Sequence, residues 1–274
     1  MTIDLNGHEI TVNDNAANVI AAEVTIMDTE YSDPSFFEGR GTPTGGILKK
    51  TAGEAFVVVN NGKLTLKSGN IVSERTNALR AQNGGEIVID GGYIKAQEIA
   101  ILATGRASMV TVNGGYLETV DNFVIGGNSN ASSAGTNIEI NGGTYLGHVA
   151  SVGYIACGIH HPQGGQLTVN GGDFQIENGV GILVRSGNVI INNVNITTTG
   201  NISGKVGDSS VLINCNDVCV DMKSACPEAE STHVEIKDGI FNAAEEVDSV
   251  VLLTDNLEAD AERLIVSGGT FSKS

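Results

Sequence analysis

Tryptophan is absent, and aromatic residues make up only 4% of the chain. That excludes a core built on large rings and leaves one of stacked valine, isoleucine and leucine. Proline is rare, at 4 residues in 274. Windows rich in Ala, Leu, Glu and Lys are scarce, which argues against helices and for short strands joined by turns. Cys157, Cys215, Cys219 and Cys226 are the only cysteines; they form no CxxC pair, and no histidine lies at zinc-finger spacing. Such sparse thiols make no disulfide framework, and burial as small side chains is their expected role. Positive charge is also short: 15 Lys and Arg face 32 Asp and Glu, a net charge of −17. A nucleic-acid partner needs a positive field, so none is expected. No apolar run approaches the roughly 20 residues of a membrane span, so no membrane insertion is expected. No basic segment followed by an apolar one opens the sequence, so no signal peptide is expected.

What is abundant is glycine, 36 residues of it, in a repeated sentence. The template is apolar, any, apolar, Asn or Asp, Gly, Gly, any, apolar. It reads "IVIDGGYI" (87–94), "VTVNGGYL" (110–117), "IEINGGTY" (138–145), "LTVNGGDF" (167–174) and "LIVSGGTF" (264–271). With the glycines relaxed it also covers "IDLNGHEI" (3–10), "VTIMDTEY" (24–31), "LTLKSGNI" (64–71), "VIINNVNI" (189–196), "VLINCNDV" (211–218) and "VEIKDGIF" (234–241). These eleven copies recur at a basal spacing of 22–23 residues, with longer intervals where segments are inserted. A fixed short period is the signature of a solenoid.

Alternation at the first three template positions marks a strand. Further strands are expected between copies, in "AFVVVN" (55–60), "AILAT" (100–104), "FVIGG" (123–127), "GILVR" (181–185) and "SVVLLT" (249–254). A helix of ten residues does not fit most intervals, and the leucine-rich-repeat pattern is missing. The expected fold is all-β: a right-handed single-stranded parallel β-helix of about 11 coils over residues 1–274, one domain about 50 Å long. Insertions are expected around 31–50, 126–137, 146–166 and 242–263. Position 4 holds Asn113, Asn141, Asn170, Asn192 and Asn214, whose amides can bond up the stack as a ladder. The glycines that follow would turn the corner.

Candidates for chemistry are few. Cleavage of a polysaccharide by hydrolysis uses two carboxylates at a defined separation. Asp173 with Glu177, and Asp121 with Glu118, are the pairs the repeat offers; a solvated surface is the plainer reading of both. His160 and His161 are adjacent, so a strand would point them to opposite faces and no shared metal is expected. No cofactor is expected. Tyr93 and Tyr116 fall at the same outward template position on successive copies. Rings so placed could stack on a sugar, or could be covered by a loop or a second subunit.

The "IDLNGHEIT" opening (3–11) and the "VNGG" coils resemble the right-handed parallel β-helix repeats of the pectin-lyase-like superfamily, across nearly the whole chain. The nearest likeness is to versions found in phage appendage proteins and gut-bacterial surface proteins. The enzyme branches carry an Asp-Asp pair and an Arg-x-Lys, and neither "DD" nor "RxK" occurs here. The resemblance implies a structural or adhesive rod, extracellular or virion-borne. It would contact host glycans as a homo-oligomer, a trimer among the candidate forms. A polysaccharide lyase or glycoside hydrolase is the alternative, and a bacterial adhesin module a further one.

Overall fold

The computed structural model describes residues 1–31, 44–53, 55–127, 135–148, 156–200, 211–213, 232–245, 250–253 and 263–272. The chain winds as a right-handed parallel β-helix with three flat sides. Among the described residues sheets A and B each hold ten strands and sheet C nine. One coil shows the rule: Glu86–Ile89 lies in sheet A, Tyr93–Ala96 in sheet B and Ile101–Ala103 in sheet C. The next coil repeats it with Met109–Val112, Tyr116–Thr119 and Phe123–Gly127. Residue pairs such as Ile87↔Val110 and Ile89↔Val112 lie in direct parallel register. All five inter-copy strands expected from the sequence lie in sheet C.

Period-two alternation produces the core. In Glu86–Ile89, Ile87 and Ile89 point inward and are fully buried, while Val88 faces out half-exposed. The same columns continue through Val110, Ile138, Leu167 and Val189. Rings also enter the core: Tyr145 and Phe174 stack at 4.1 Å, and Phe241 and Phe271 at 4.8 Å. Parts of sheet C are buried more deeply still, since every residue of Ile101–Ala103 and of Gly179–Val184 is buried. That accounts for the continuous apolar text of these two strands in place of alternation.

The double glycine has two separate causes. A Cβ on Gly91 would lie 2.7 Å from the Lys67 carbonyl oxygen of the coil below. Gly92 has φ +84°, which a side chain would strain. The first glycine permits close stacking and the second turns the corner from sheet A to sheet B.

Three expectations need correction. Ten of the eleven template copies supply strands to sheet A, but "VLINCNDV" does not. Sheet A passes directly from Asn188–Ile191 to His233–Ile236. Val211–Ile213 lies in sheet C, antiparallel to both Gly179–Val184 and Val251–Leu253. Alternation specifies a strand but neither its sheet nor its direction, which the connecting chain decides. The first copy is offset by two residues, since Ile3 pairs with Ile26 instead of Val24. A two-residue slip keeps the apolar residues facing in and is tolerated for that reason. Finally, the insertion ranges 31–50 and 146–166 each hold a strand that was not expected, whereas the strands in 123–127 and 249–254 stand where the sequence placed them. Ile47–Lys50 is a sheet B strand, Ala156–His161 a sheet C strand and Val251–Leu253 another. Gly126 and Gly127 close one strand, and Thr136 opens the next.

Candidate functional site

Tyr93, Tyr116 and Glu118 lie together in sheet B, with Asp121 at the corner beyond it. Parallel register sets Tyr93 beside Tyr116 and Lys95 beside Glu118 on successive coils. The Tyr93 hydroxyl donates to Glu118 Oε2 at 2.6 Å, and Lys95 Nζ donates to Glu118 Oε1 at 2.8 Å. One carboxylate thus takes both neighbours from the coil below. Tyr93 retains only 3% exposure. Burial first, and the Glu118 charge second, push its hydroxyl far above the usual tyrosine range. Tyr93 is therefore no open platform for a sugar ring, a correction to its outward reading. Tyr116 is half-buried beside it.

At the corner, Gln97 Nε2 donates to Asp121 Oδ2 at 3.1 Å, and the Asp121 N–H donates to the Gln97 carbonyl at 2.8 Å. Glu98 follows Gln97, and its carboxyl is pushed up by burial and by the Asp121 charge. Sequence reasoning missed Glu98 because its neighbour lies a full coil away. The pairing Asp121–Glu118 is re-sorted by the stack: Glu118 answers to Lys95 and Tyr93, and Asp121 to Gln97 and Glu98.

Asp173 and Glu177 stand at opposite ends of one strand, Asp173–Glu177. Four residues of strand separate them by about 13 Å, beyond the span of a hydrolytic pair. Asp173 accepts from Asn195 Nδ2 at 3.2 Å, and Glu177 meets His148 Nδ1 at 3.0 Å.

His160 and His161 do face opposite sides of the strand Ala156–His161. His161 stands in register with core residue Val184, and its Nδ1 lies 2.9 Å from the Ser186 carbonyl. His160 packs on the Phe123 ring at 4.5 Å. Burial is the main cause that holds both rings neutral. His160 is lowered to about 3, with Arg185 and His161 adding to the effect, and His161 is lowered to about 4. Among the described residues no group of three His, Cys, Asp or Glu could hold a metal ion. Both folded pKa values lie below the ordinary 6.5. The unfolded chain thus takes up protons that the folded one refuses, and stability falls as pH drops from 6.5 towards 4. His160→Gln is expected to flatten that dependence, read as urea midpoints at about pH 7.5 and about pH 5. An unchanged slope would contradict it.

The asparagine column is a continuous amide ladder. Asn141 Nδ2 donates to Asn113 Oδ1 at 2.9 Å, Asn170 to Asn141 at 2.8 Å and Asn192 to Asn170 at 2.7 Å. Asn113 in turn donates to Asp90 Oδ1 at 2.8 Å. All amides point the same way, so their dipoles add. An acid ends the donor side, and Lys237 takes the next place past Asn192 by register. Asn214 lies outside the described residues, as do Cys215, Cys219 and Cys226. Cys157 is buried.

Three sheets of stacked short strands, parallel but for Val211–Ile213 and bonded coil to coil on their outer faces, define a right-handed parallel β-helix. No family model, curated protein or solved structure matches the chain. Among the described residues no helix is long and apolar enough to cross a membrane.

Proposed function

We propose that the chain is a structural and adhesive rod of the pectin-lyase-like kind. It would serve as a phage virion appendage that meets host surface glycans and works as a homo-oligomer. One observation carries this reading: three sets of outward polar side chains are engaged with the next coil. The Asp90 to Asn192 ladder, the Tyr93–Glu118–Lys95 knot and the Asp173–Asn195 rung all hold neighbouring coils together. Side chains so engaged favour a stiff rod.

Light scattering after size exclusion should return a mass above that of one 28.3 kDa chain. Capsular and pectic polysaccharides should be retained by the immobilised protein without releasing reducing ends. A monomer at high concentration would sink the oligomeric part, and no retention of any glycan the adhesive part.

A carbohydrate-cleaving enzyme is the second reading, favoured by Glu98 beside Asp121. A carboxyl pushed up next to a second carboxylate is the pattern of an acid and its partner. Reducing ends released by the native protein and lost in Glu98→Gln would establish this reading over the first.

A further inference from the structure

Seven Asn–Gly dipeptides occur in the chain, at Asn6, Asn61, Asn83, Asn113, Asn141, Asn170 and Asn178. Asparagine is a thermolabile residue, and a following glycine exposes its nitrogen because it has no Cβ. The structure treats the seven differently. In Asn113, Asn141 and Asn170 the amide nitrogen donates down the ladder and the amide oxygen accepts from above. The side chain cannot turn towards its own backbone without breaking both bonds. At Asn6 the side-chain oxygen accepts from Thr29, and the Gly7 N–H donates to Asp28. At Asn83 the amide donates to Asn60, and the Gly84 N–H donates to the Arg106 carbonyl. Beyond Asn178, Gly179 opens a sheet C strand in register with Ala156.

Asn61 differs from all of these. It is exposed, at the corner between the sheet C strand Val57–Asn60 and the sheet A strand Lys63–Leu66. Among the described residues, neither its side chain nor the Gly62 N–H has a hydrogen-bond partner. We propose that Asn61 is a site of spontaneous deamidation, and that the amide ladder protects Asn113, Asn141 and Asn170 from the same reaction.

The Gly62 nitrogen attacks Asn61 Cγ. The Cγ–Nδ2 bond breaks, and Nδ2 leaves as ammonia carrying the proton lost from the Gly62 nitrogen. Water then opens the resulting five-membered succinimide at either carbonyl. One opening yields aspartate; the other yields isoaspartate, in which the chain runs through Cγ. No redox partner is needed. Either product adds a negative charge beside the Asn60–Asn83 rung, and isoaspartate lengthens the backbone at a coil corner.

The test is peptide mass spectrometry of the full chain after incubation at mildly alkaline pH, folded and in denaturant. In denaturant all seven sites should convert at similar rates. In the folded protein Asn61 should stay within several-fold of its unfolded rate, while the three ladder sites slow by at least about tenfold, since they react only after local opening. Asn61→Ser should abolish the fast product. Asp90→Ala removes the acceptor for Asn113 and should speed conversion at Asn113 alone. Protection of Asn61 as strong as that of Asn141, or Asn141 reacting as fast as Asn61, overturns the proposal. The comparison of folded and unfolded native chain decides it even if Asp90→Ala does not fold.

Discussion

Phe174→Ala is expected to lower stability by about 3–5 kcal/mol. Phe174 is fully buried, and its ring lies 4.1 Å from that of Tyr145 with only 6° between the planes. The two occupy the same register position on successive coils. Truncation removes the apolar contact of one large ring and leaves a cavity beneath another. The coils above and below are held by their own strand pairs, so they cannot close the gap by sliding. The Tyr145 hydroxyl donates to the Gly142 carbonyl at 2.6 Å, which ties that ring in place and limits relaxation further. Phe174→Leu keeps most of the volume and should cost much less. Urea denaturation reads both variants, and an alanine cost below about 1 kcal/mol would show that the stack contributes little beyond filling space.

Asp28→Ala is expected to detach the first coil. Asp28 is 3% exposed, and its carboxylate accepts the N–H groups of Gly7 at 2.8 Å, Glu30 at 3.1 Å and Gly46 at 2.5 Å. Gly7 belongs to the first coil, whereas Glu30 and Gly46 follow the second coil's sheet A strand, so one side chain joins two coils at a corner. A hydrogen bond to a charged group is worth about 1.5–3 kcal/mol, and an orphaned donor costs about 1–3 kcal/mol. A loss of about 3 kcal/mol or more follows for the alanine variant. Stability in a solenoid is close to a sum of coil and interface terms, so the damage should stay local. Hydrogen exchange should therefore accelerate at Leu5, whose N–H bonds the Met27 carbonyl, before it changes at Asn141 in mid-rod. Equal acceleration at both would show that the rod unfolds as one unit. Asp28→Asn keeps an acceptor oxygen and should fall between the two.

The two variants probe features of different legibility. Phe174 was readable as an inward template position, because alternation fixes which residues enter the core. Its stacking on Tyr145 also follows from the period, once each template copy is laid over the next. Asp28 carried no such signal. It stands at the first glycine position of a copy with no glycine pair, and its three partners come from positions 7, 30 and 46. The ladder was legible from Asn113 to Asn192, and the register extends it to Asp90, a residue of different type at the same position. The site was less legible. The period sets Lys95 beside Glu118, but that Glu118 takes both Lys95 and the Tyr93 hydroxyl depends on side-chain placement, which no pattern displays.

The sequence by itself determined the β-helix, a coil of two or three strands, the apolar columns and the glycine corners, and the third sheet was decided by the structure. Each of the first four is a period-two or period-22 property that survives being read one coil at a time. The tertiary structure decided the reversed strand Val211–Ile213, the two-residue offset of the first coil, the burial of Tyr93 and the meeting of Glu98 with Asp121. These depend on which coil lies against which and in what direction. That is settled by the free energy of stacking whole coils, and it leaves no trace in any single one.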